Sequence, residues 1–457
     1  MRRCLCLFLV AALAACSQKS GRFYIAASGD DAGAGSLEHP WRTLAPTRGL
    51  HLRPGDAVLL KGGETFTGTL RLDSARGNAA APVLVGSYGG GDATIAAGDS
   101  SALVVYRGDY VSVSGLRLVG AGRKAGNIRE GLSLVNCSHT DVDSLDITGF
   151  QKSGLMIYAS TDMRITHVSA HENGAAGIAV EGAEGKRQSL RIQILDCQAD
   201  DNPGDPTNLT NHSGNGIVVG HCTHLVIDRC SATNNGWDMP RIGNGPVGIW
   251  CYEADSVTIQ HCLAYRNKTS PGAADGGGFD LDGGVTNSVI QDCLSYGNQG
   301  SGYCIFQYWG ASPWHDNIIR NNITENDGTV SDSRAGIYVW NSSNDSSQFY
   351  NCQIYNNTVY CVKEAALSFS EVSARKGFTW SNNILVGGDS LIRGRQGTDR
   401  FDGNDWWCRF RKGPGLNIDP GFADPGHTSL TSVSGLAAFT TYRLPENSPL
   451  KGKGASF

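Results

Sequence analysis

The chain has 457 residues, 38 basic and 43 acidic, with a formal net charge of −5 at neutral pH. If Arg2 and Arg3 are lost with a leader, 36 basic and 43 acidic residues remain (36 − 43 = −7), and no basic stripe could neutralise nucleic-acid phosphates. The 60 glycines, set among a steady supply of apolar residues, indicate short strands and frequent turns and exclude a disordered protein.

The first sixteen residues have the composition of an export signal. Arg2 and Arg3 precede an apolar run at residues 5–13, which is too short to span a bilayer comfortably. The phrase Leu-Ala-Ala-Cys that ends at Cys16 resembles a bacterial lipobox. This resemblance implies a lipid on Cys16 and a membrane anchor, and it places the protein in the cell envelope as an outer-membrane lipoprotein. We therefore predict a lipoprotein signal peptide at residues 1–16, with an ordinary cleaved signal or an uncut anchor as the alternative.

The segment from Phe23 to Asn78 precedes the regular part of the chain. It reads as a strand, a short helix around His39-Pro-Trp-Arg-Thr-Leu, and a first coil around Arg53-Pro-Gly-Asp-Ala-Val-Leu-Leu. A stack of repeats needs a cover over its first coil, so we predict that this segment is the N-terminal cap.

A repeat dominates residues 150–390. Its first half is glycine followed by apolar, variable and apolar residues, and its second half is an alternating strand that leads to a Cys or Asn position. That position recurs every 26 to 35 residues, at Val168, Cys197, Cys230, Cys262, Cys293, Asn322, Asn357 and Asn383. Such periods with short alternating strands predict a parallel β-solenoid whose coils lie about 4.8 Å apart. Helical repeats are excluded because no segment keeps a spacing of three and four, and a propeller blade is longer and has four antiparallel strands.

Most cysteines belong to this repeated column. Of 14 cysteines, Cys4, Cys6 and Cys16 lie in the leader, and the remaining 11 (14 − 3) cannot form a complete disulfide framework. We predict a ladder of small buried thiols that asparagines continue by hydrogen bonding along the stack. Disulfides between neighbouring coils are the alternative, but stacked parallel side chains seldom have the required torsion.

The end of the chain is punctuated by proline and does not repeat, as in Asn417-Ile-Asp-Pro-Gly-Phe and Tyr442-Arg-Leu-Pro-Glu-Asn-Ser-Pro. These phrases, the opening Tyr-Ile-Ala-Ala-Ser-Gly-Asp-Asp and the coil phrase resemble exported right-handed parallel β-helix proteins of the pectate-lyase-like superfamily. The resemblance implies an all-β fold, with the capped β-helix at residues 22–400 and an irregular C-terminal cap at 401–457. It leaves the reaction open, because this fold hosts lyases, hydrolases, epimerases and binding proteins.

The residues between core positions of each glycine-led strand point away from the core and form one stripe along the stack. The stripe and the loop beside it supply six aromatic residues: Trp250, Tyr252, Phe306, Tyr308, Tyr338 and Trp340. Aromatic faces beside acidic groups suit sugar rings, so we predict a carbohydrate-binding groove. The alternative is that the long loops 201–215, 237–244, 268–275 and 308–317 fold over the stripe and bury it.

Asp280 and Asp282 lie on the stripe, with Cα atoms about 6.6 Å apart if they share a strand. A carboxyl pair of this spacing predicts the acid and base of an inverting glycosidase, and His315 is a further candidate acid or base. The competing interpretation of Asp282-Gly283-Gly284 is a simple turn in which Asp282 only caps the bend.

A second chemistry uses Asp275, Asp280 and Asp282 as calcium ligands that hold an acidic sugar for β-elimination. Arg334 is then a candidate base, as are Arg266 and Lys268. Calcium-dependent pectate lyases carry a similar Asp-Gly-Phe phrase, but they place aspartates one coil later, where this chain has Gly-Asn-Gln-Gly-Ser-Gly-Tyr from residue 297.

These patterns predict a monomeric enzyme that cleaves a polysaccharide or oligosaccharide. Hydrolysis is favoured over calcium-dependent elimination, because the stripe has acids but no obvious basic residue. Calcium is the one candidate cofactor, and the predicted partners are the glycan and the membrane through Cys16, with no nucleic acid. A carbohydrate-binding or adhesion protein without catalysis is the alternative of another class.

Overall fold

A computed structural model describes residues 21–330, 335–370, 374–388, 390–395, 397–408 and 412–455. Within these ranges the chain is almost entirely β-strand, and the strands pair in parallel from coil to coil, which confirms the predicted β-helix. The described helices are two short 3-10 turns, Ala45–Thr47 and Val433–Ala438. No helix in the described part is long and apolar enough to cross a membrane.

Twelve strands form a sheet that we call the front sheet. They are Leu70–Asp73, Leu103–Tyr106, Leu132–Val135, Ser153–Tyr158, Ala176–Glu181, Asn215–Gly220, Val247–Tyr252, Gly277–Leu281, Tyr303–Gln307, Ala335–Asn341, Ala365–Phe369 and Ile392–Arg393. Alternate residues of these strands fill the core, as Phe279 and Leu281 do. The residues between them, including Asp280, point to the opposite face.

A sheet of 24 strands, which we call the rear sheet, wraps the remaining sides of each coil. Three long strands in its early coils, Val111–Gly120, Ser138–Thr148 and Thr161–His171, give way to pairs of shorter strands in the later coils. The other strands are Arg22–Ile25, Ala57–Lys61, Thr65–Thr67, Val83–Tyr88, Ala93–Gly98, Ser189–Leu195, Gln198–Asp200, Cys222–Asp228, Ser231–Thr233, Asp255–Gln260, Leu263–Tyr265, Val289–Gln291, Leu294–Tyr296, Trp314–Arg320, Ile323–Glu325, Phe349–Tyr355, Thr358–Cys361, Lys376–Ser381, Ile384–Gly387, Arg400–Asp402 and Asp405–Trp407.

The predicted column of cysteine and asparagine lies at the corner between paired rear strands. A residue with positive φ turns the corner, such as His261 (φ 49°), and the column residue follows it. The backbone N–H of Cys262 donates to Cys293 Sγ at 3.4 Å, and that of Cys293 donates to Asn322 Oδ1 at 3.0 Å. The described cysteines are all free and buried, which confirms the ladder of unpaired thiols.

A second ladder runs beside the first and was not predicted. It comprises Asn173, Asn202, Asn235, Asn267, Asn298 and Asp327. Each backbone N–H donates to the side-chain oxygen in the next coil, for example Asn202 N to Asn235 Oδ1 at 3.0 Å. This ladder anchors the start of each loop that returns to the front sheet, so it positions the loops that border the site.

The two ends of the stack are covered differently. At the N-terminal end, Phe23 stacks on Trp41 with ring centroids 5.2 Å apart, and Trp41 is buried against the first coil. At the other end, parallel pairing continues through Asp405–Trp407, past the predicted boundary at residue 400. The chain beyond residue 412 first contacts the indole of Trp406 and then packs along the side of the rear sheet, where Tyr442 joins a buried cluster with Tyr296.

Candidate functional site

A cavity of about 600 Å³ lies over the outward face of the front sheet. All six aromatic residues that were predicted to bind substrate line it: Trp250, Tyr252, Phe306, Tyr308, Tyr338 and Trp340. Loop residues complete its walls, namely Asn211, His212, Arg241, Asn244, Ala274 and Asp275, and Asp282 follows a front strand. The loops therefore border the stripe and leave a space large enough for a small ligand.

The strand register produces the predicted stripe. Trp250 pairs with Asp280, Asp280 with Cys304, and Cys304 with Tyr338. The expectation that the stripe faces solvent is wrong for Asp280 and Cys304, whose exposed fractions are 2% and 0%, and also for Trp250 and Phe306, whose exposed fractions are 4% and 6%. Large aromatic residues of the stripe are therefore buried as well as the smaller ones.

Asp280 does not line the cavity and lies in the sheet beneath it. Its Oδ1 atom has no hydrogen-bond partner within the described part of the chain. Burial raises the pKa of this carboxyl well above its ordinary value, and the negative charges of Asp282 and Asp275 raise it further. Burial and the two neighbouring acids thus both favour the neutral form of the Asp280 carboxyl.

Asp282 lines the cavity and also holds the turn that follows the strand. Its Oδ1 atom accepts the backbone N–H of Gly283 at 2.7 Å, so the turn-capping interpretation is correct, and it coexists with a place in the site. Burial raises the pKa of Asp282 to about 7, the Gly283 N–H opposes this rise, and the charge of Glu253 adds to it. A carboxyl that titrates near neutral pH is suited to proton transfer.

Asp275 lines the cavity from the loop that leads into the same front strand. Its Oδ2 atom accepts the backbone N–H of Gly245 at 2.7 Å. Gly245 belongs to the loop before the preceding front strand, Val247–Tyr252. Backbone hydrogen bonds from Ala274 N to Gly243 O at 2.8 Å and from Gly276 N to Pro246 O at 2.9 Å join the same two loops. These contacts fix Asp275 on the cavity that Asp282 also faces.

The three predicted calcium ligands, Asp275, Asp280 and Asp282, do not form a ligand cluster in the structure. Among the described residues, no group of three or more His, Cys, Asp or Glu side chains is close enough to hold a metal ion. Of the three predicted ligands, Asp275 and Asp282 line the cavity and Asp280 is buried. The residues present do not fit a metal site, and a calcium requirement stays an untested prediction.

Three other predicted site residues, His315, Arg266 and Lys268, do not line the cavity. His315 lies on the rear strand Trp314–Arg320, where it stacks on Tyr350 with centroids 4.8 Å apart and contacts Asp316 at 2.7 Å. Arg266 and Lys268 are also absent from the cavity lining. Two further predictions, Arg334 as a base and Cys16 as a lipid attachment site, fall outside the described residues.

Sequence reasoning missed the polar loop residues of the cavity. His212 was interpreted as a surface histidine, and neither Arg241 nor the asparagines Asn211 and Asn244 were considered, yet all four line the wall. These loops do not repeat, so the alternation that located the stripe carries no information about their paths. The prediction that the stripe lacks a basic residue did not consider the loops, and one of them places Arg241 on the cavity wall.

Glu181 is a further acidic residue beside the site. The Tyr252 hydroxyl, which borders the cavity, donates to Glu181 Oε1 and Oε2 at 2.7 and 2.8 Å, and burial raises the pKa of Glu181 to about 7. Gly220 makes the contact possible, because a Cβ there would lie 2.4 Å from the Tyr252 ring. Glu181, Gly220 and Tyr252 occupy one stripe position in consecutive coils. The repeat in the sequence therefore carries enough information to predict the contact between Glu181 and Tyr252.

The coils, their ladders and the front cavity define a parallel β-helix protein with a ligand-sized site. The chain belongs to the Pel9A-like right-handed β-helix family, whose model matches residues 23–365. This match also supports the right-handed winding that the sequence resemblance implied.

Particular proteins resemble this chain over different shares of its length. A lacto-N-biosidase from Bifidobacterium longum subsp. longum is 32% identical over 243 residues, which are 49% of this chain and 14% of that protein's length. The solved structure of the GH136 lacto-N-biosidase from Eubacterium ramulus matches with a TM-score of 0.53 at 15% identity. The match covers 84% of this chain and 68% of the Eubacterium ramulus chain. The solved structure of the A-module of mannuronan C-5 epimerase from Azotobacter vinelandii matches with a TM-score of 0.53 at 15% identity. This match covers 80% of this chain and 91% of the A-module chain. These structural likenesses establish the fold.

Proposed function

We propose that this protein hydrolyses a glycosidic bond of an oligosaccharide or polysaccharide bound in the front cavity. The observation that carries the proposal is the placement of Asp275 and Asp282 on one aromatic-walled cavity. Two carboxyl groups flanking the scissile bond are the usual machinery of glycoside hydrolysis. The lacto-N-biosidase relatives support the same class of reaction, although the curated relative is matched over only 14% of its length.

Asp282 is assigned the role of general acid. Its pKa of about 7 keeps a substantial protonated population at neutral pH, and the proton passes to the glycosidic oxygen as the bond to the anomeric carbon breaks. Asp275 is the partner carboxylate. In the favoured inverting route it takes a proton from the water whose oxygen bonds to the anomeric carbon, and in a retaining route it attacks that carbon itself.

The aromatic residues are assigned to substrate binding. The rings of Trp250, Phe306 and Trp340 line the cavity, and the apolar faces of sugar rings pack well against aromatic side chains. Ile242 and Trp309, which follow the lining residues Arg241 and Tyr308 in the sequence, are 75% and 80% exposed. Exposed apolar groups beside a polar cavity are typical of an interaction site.

The decisive experiment compares Asp275→Asn and Asp282→Asn with the control Asp424→Asn, whose carboxyl is exposed far from the cavity. Each variant is incubated with a glycan library, products are identified by mass spectrometry, and binding is measured separately. We expect both cavity variants to lose at least about 100-fold in kcat while they retain binding, since a positioned acid or base contributes about that much or more. NMR of the first-formed anomer then distinguishes inversion from retention.

Elimination is the second candidate, and Arg241 is the observation that favours it. A guanidinium on the cavity wall could hold the carboxylate of an acidic sugar. Products that absorb as unsaturated uronides, and that disappear on addition of a chelator, would replace hydrolysis with calcium-dependent elimination. Unchanged binding with no product from any glycan would instead support a carbohydrate-binding protein.

We also propose a lipid anchor at Cys16, on the leader pattern alone. Labelling of cells with a radioactive fatty acid, followed by membrane fractionation, tests this proposal. Cys16→Ser should lose the label and leave the membrane fraction, whereas an anchored, unlabelled variant would contradict it.

A further inference from the structure

His212 occupies a fixed position on the cavity wall. Its ring meets the Trp250 indole edge to face, with centroids 4.8 Å apart. Its backbone is held on both sides, because its N–H donates to Asn211 Oδ1 at 2.9 Å and its carbonyl accepts from Asn208 Nδ2 at 3.2 Å. The ring is therefore placed by the loop as well as by the indole.

The buried amide of Asn215 has one permitted orientation. Its Oδ1 atom accepts from Trp250 Nε1 at 3.1 Å and from Val247 N at 3.3 Å, and neither of these groups can accept a hydrogen bond. Its Nδ2 atom donates to the carbonyl of Ala175 at 3.2 Å. A flipped amide would place donors against donors and oxygen against oxygen, so Nδ2 must also be the donor in its 3.0 Å contact with His212 Nδ1.

This polarity fixes the tautomer of His212. Nδ1 accepts from Asn215 and therefore carries no proton, so the proton of the neutral ring is on Nε2. We infer that His212 is a positioning residue that presents a neutral Nε2–H donor to an acceptor oxygen of the bound glycan. The inference rests on the proposed function and assigns a substrate contact within it.

The surroundings keep the imidazole neutral. Burial lowers the pKa of His212 to about 4, and the positive charge of Arg241 lowers it further. Asp275 and Asp282 line the same cavity, and their carboxyl oxygens accept the backbone N–H groups of Gly245 and Gly283. Arg241 donates to Asn244 O at 3.1 Å.

The side chains of His212 and Arg241 therefore offer the substrate donors and no acceptor. Neither a neutral Nε2–H nor a guanidinium can accept a hydrogen bond. The sugar group that fits is an acceptor-only oxygen, which a carbonyl of an N-acyl substituent or a carboxylate of a uronate would supply. A hydroxyl fits less well because its own proton finds no acceptor from these two side chains.

NMR tests the tautomer directly. In protein labelled with ¹⁵N, long-range ¹H–¹⁵N correlations of His212 should show Nε2 protonated and Nδ1 bare from about pH 5.5 to 8, since a histidine held neutral does not titrate there. Asn215→Asp replaces the donor by an acceptor and should move the proton to Nδ1 or raise the pKa. A wild-type ring that is doubly protonated near pH 6, or protonated at Nδ1, would overturn the inference even if the variant does not fold.

Binding tests the contact with the glycan. N-acetylated chitotriose and trigalacturonate are titrated by calorimetry into Asp282→Asn, with and without His212→Ala, and His427→Ala serves as the exposed control. Loss of one hydrogen bond should weaken binding about tenfold for the sugar that carries the recognised oxygen. Weaker binding of chitotriose alone assigns the N-acyl carbonyl, and weaker binding of trigalacturonate alone assigns the carboxylate.

Kinetics separates this inference from the proposed function. On a cleaved glycan, His212→Ala should raise KM with a smaller change in kcat, because a positioning donor contributes chiefly to binding. Binding and KM that are unchanged in His212→Ala would overturn the role of His212 and leave the hydrolase proposal intact. A wild-type protein that neither binds nor cleaves any glycan would overturn both.

Discussion

The carboxyl of Asp282 accepts the Gly283 N–H and faces the cavity, so one side chain shapes the end of the strand and titrates near neutral pH. Its neighbour Asp280 is buried, and burial raises the pKa of its carboxyl well above the ordinary value. The chemical difference between two acids only two residues apart comes from their surroundings, since one reaches the cavity and the other is covered by the stripe.

The raised pKa of Asp282 predicts the alkaline limb of the pH profile. A general acid must carry its proton, which is present below about pH 7 and is lost above it. We expect kcat/KM to fall about tenfold per pH unit above that value, and we expect this limb to disappear from the residual activity of Asp282→Asn. Profiles recorded from pH 5 to 9 check this, with Asp424→Asn retaining the wild-type shape. An unaltered alkaline limb in Asp282→Asn would assign the titration to another group.

The repeat made part of the site predictable residue by residue. Alternation along the front strands placed Trp250, Tyr338 and Asp282 on one side, and their register places them on one cavity. The same alternation overestimated the exposure of Asp280, because it gives the direction of a side chain and not the height of its neighbours. His212 reaches the cavity from a loop with no periodicity, so its place required the structure.

At the scale of the structural element, the two ladders explain how unequal coils remain in register. The intervals in the first ladder vary from 26 to 35 residues, yet each corner residue bonds to the same position in the next coil. The sequence revealed the first ladder through its cysteines. The second was equally regular, since Asn202 and Asn267 each follow a cysteine of the first ladder by five residues. It was missed because irregular loops follow it directly.

Cys293 offers a matched test of the first ladder. Cys293→Ala removes the acceptor of the Cys262 N–H and leaves a void, which should lower the free energy of unfolding by about 1–3 kcal/mol. Cys293→Asn should lose less, because Oδ1 can accept that N–H and Nδ2 can donate to Ile259 O, as Asn322 Nδ2 donates to Ile290 O at 2.9 Å. Urea unfolding measures both, and an Asn variant less stable than the Ala variant would contradict the ladder.

Asp327 ends the second ladder with an acid where earlier coils have asparagine. Its Oδ1 atom accepts from Asn298 N at 2.7 Å, and burial raises its pKa to about 7. A raised pKa in the folded state means that stability is fully present below the unfolded pKa and is lost as pH rises toward 7.

Asp327→Asn should therefore gain stability relative to wild type as pH increases. Between about pH 4.5 and 8 we expect a relative gain of roughly 2–4 kcal/mol, because the neutral amide does not ionise. Denaturant unfolding at the two pH values measures the change, and Asn202→Asp, which creates a buried acid in the same ladder, should show the opposite trend. A pH-independent difference in Asp327→Asn would show that Asp327 is ionised in the folded protein.

At the scale of the whole molecule, the C-terminal segment covers the side of the stack as well as its end. Tyr442 packs with Tyr360 and Phe422 and donates its hydroxyl to the buried Glu325 at 2.5 Å. The overall β-helix was predictable because every coil repeats its pattern. The route of this segment was not, because a single chain crossing several coils leaves no period in its own sequence.

The attachment of this segment can be divided into two contributions at Tyr442. Tyr442→Phe removes one donor from Glu325 and should cost about 1–3 kcal/mol, whereas Tyr442→Ala also opens a void and should cost about 3–5 kcal/mol. Limited proteolysis should cut the C-terminal segment of Tyr442→Ala before the coils unfold. Resistance equal to that of wild type would show that the segment is held mainly elsewhere.

The unpaired thiols of the first ladder have a consequence for how the molecule survives oxidation. Burial raises the pKa of Cys230 and Cys262 well above the ordinary value, and the hydrogen bond with Cys230 followed by burial does the same for Cys197, so the folded protein disfavours reactive thiolate there. The same residues are accessible while the chain is unfolded, when thiol exchange could join the wrong coils. Sensitivity to oxidants is thus confined to the interval before the coils stack, and refolding yield should depend on a reductant that the finished fold does not need.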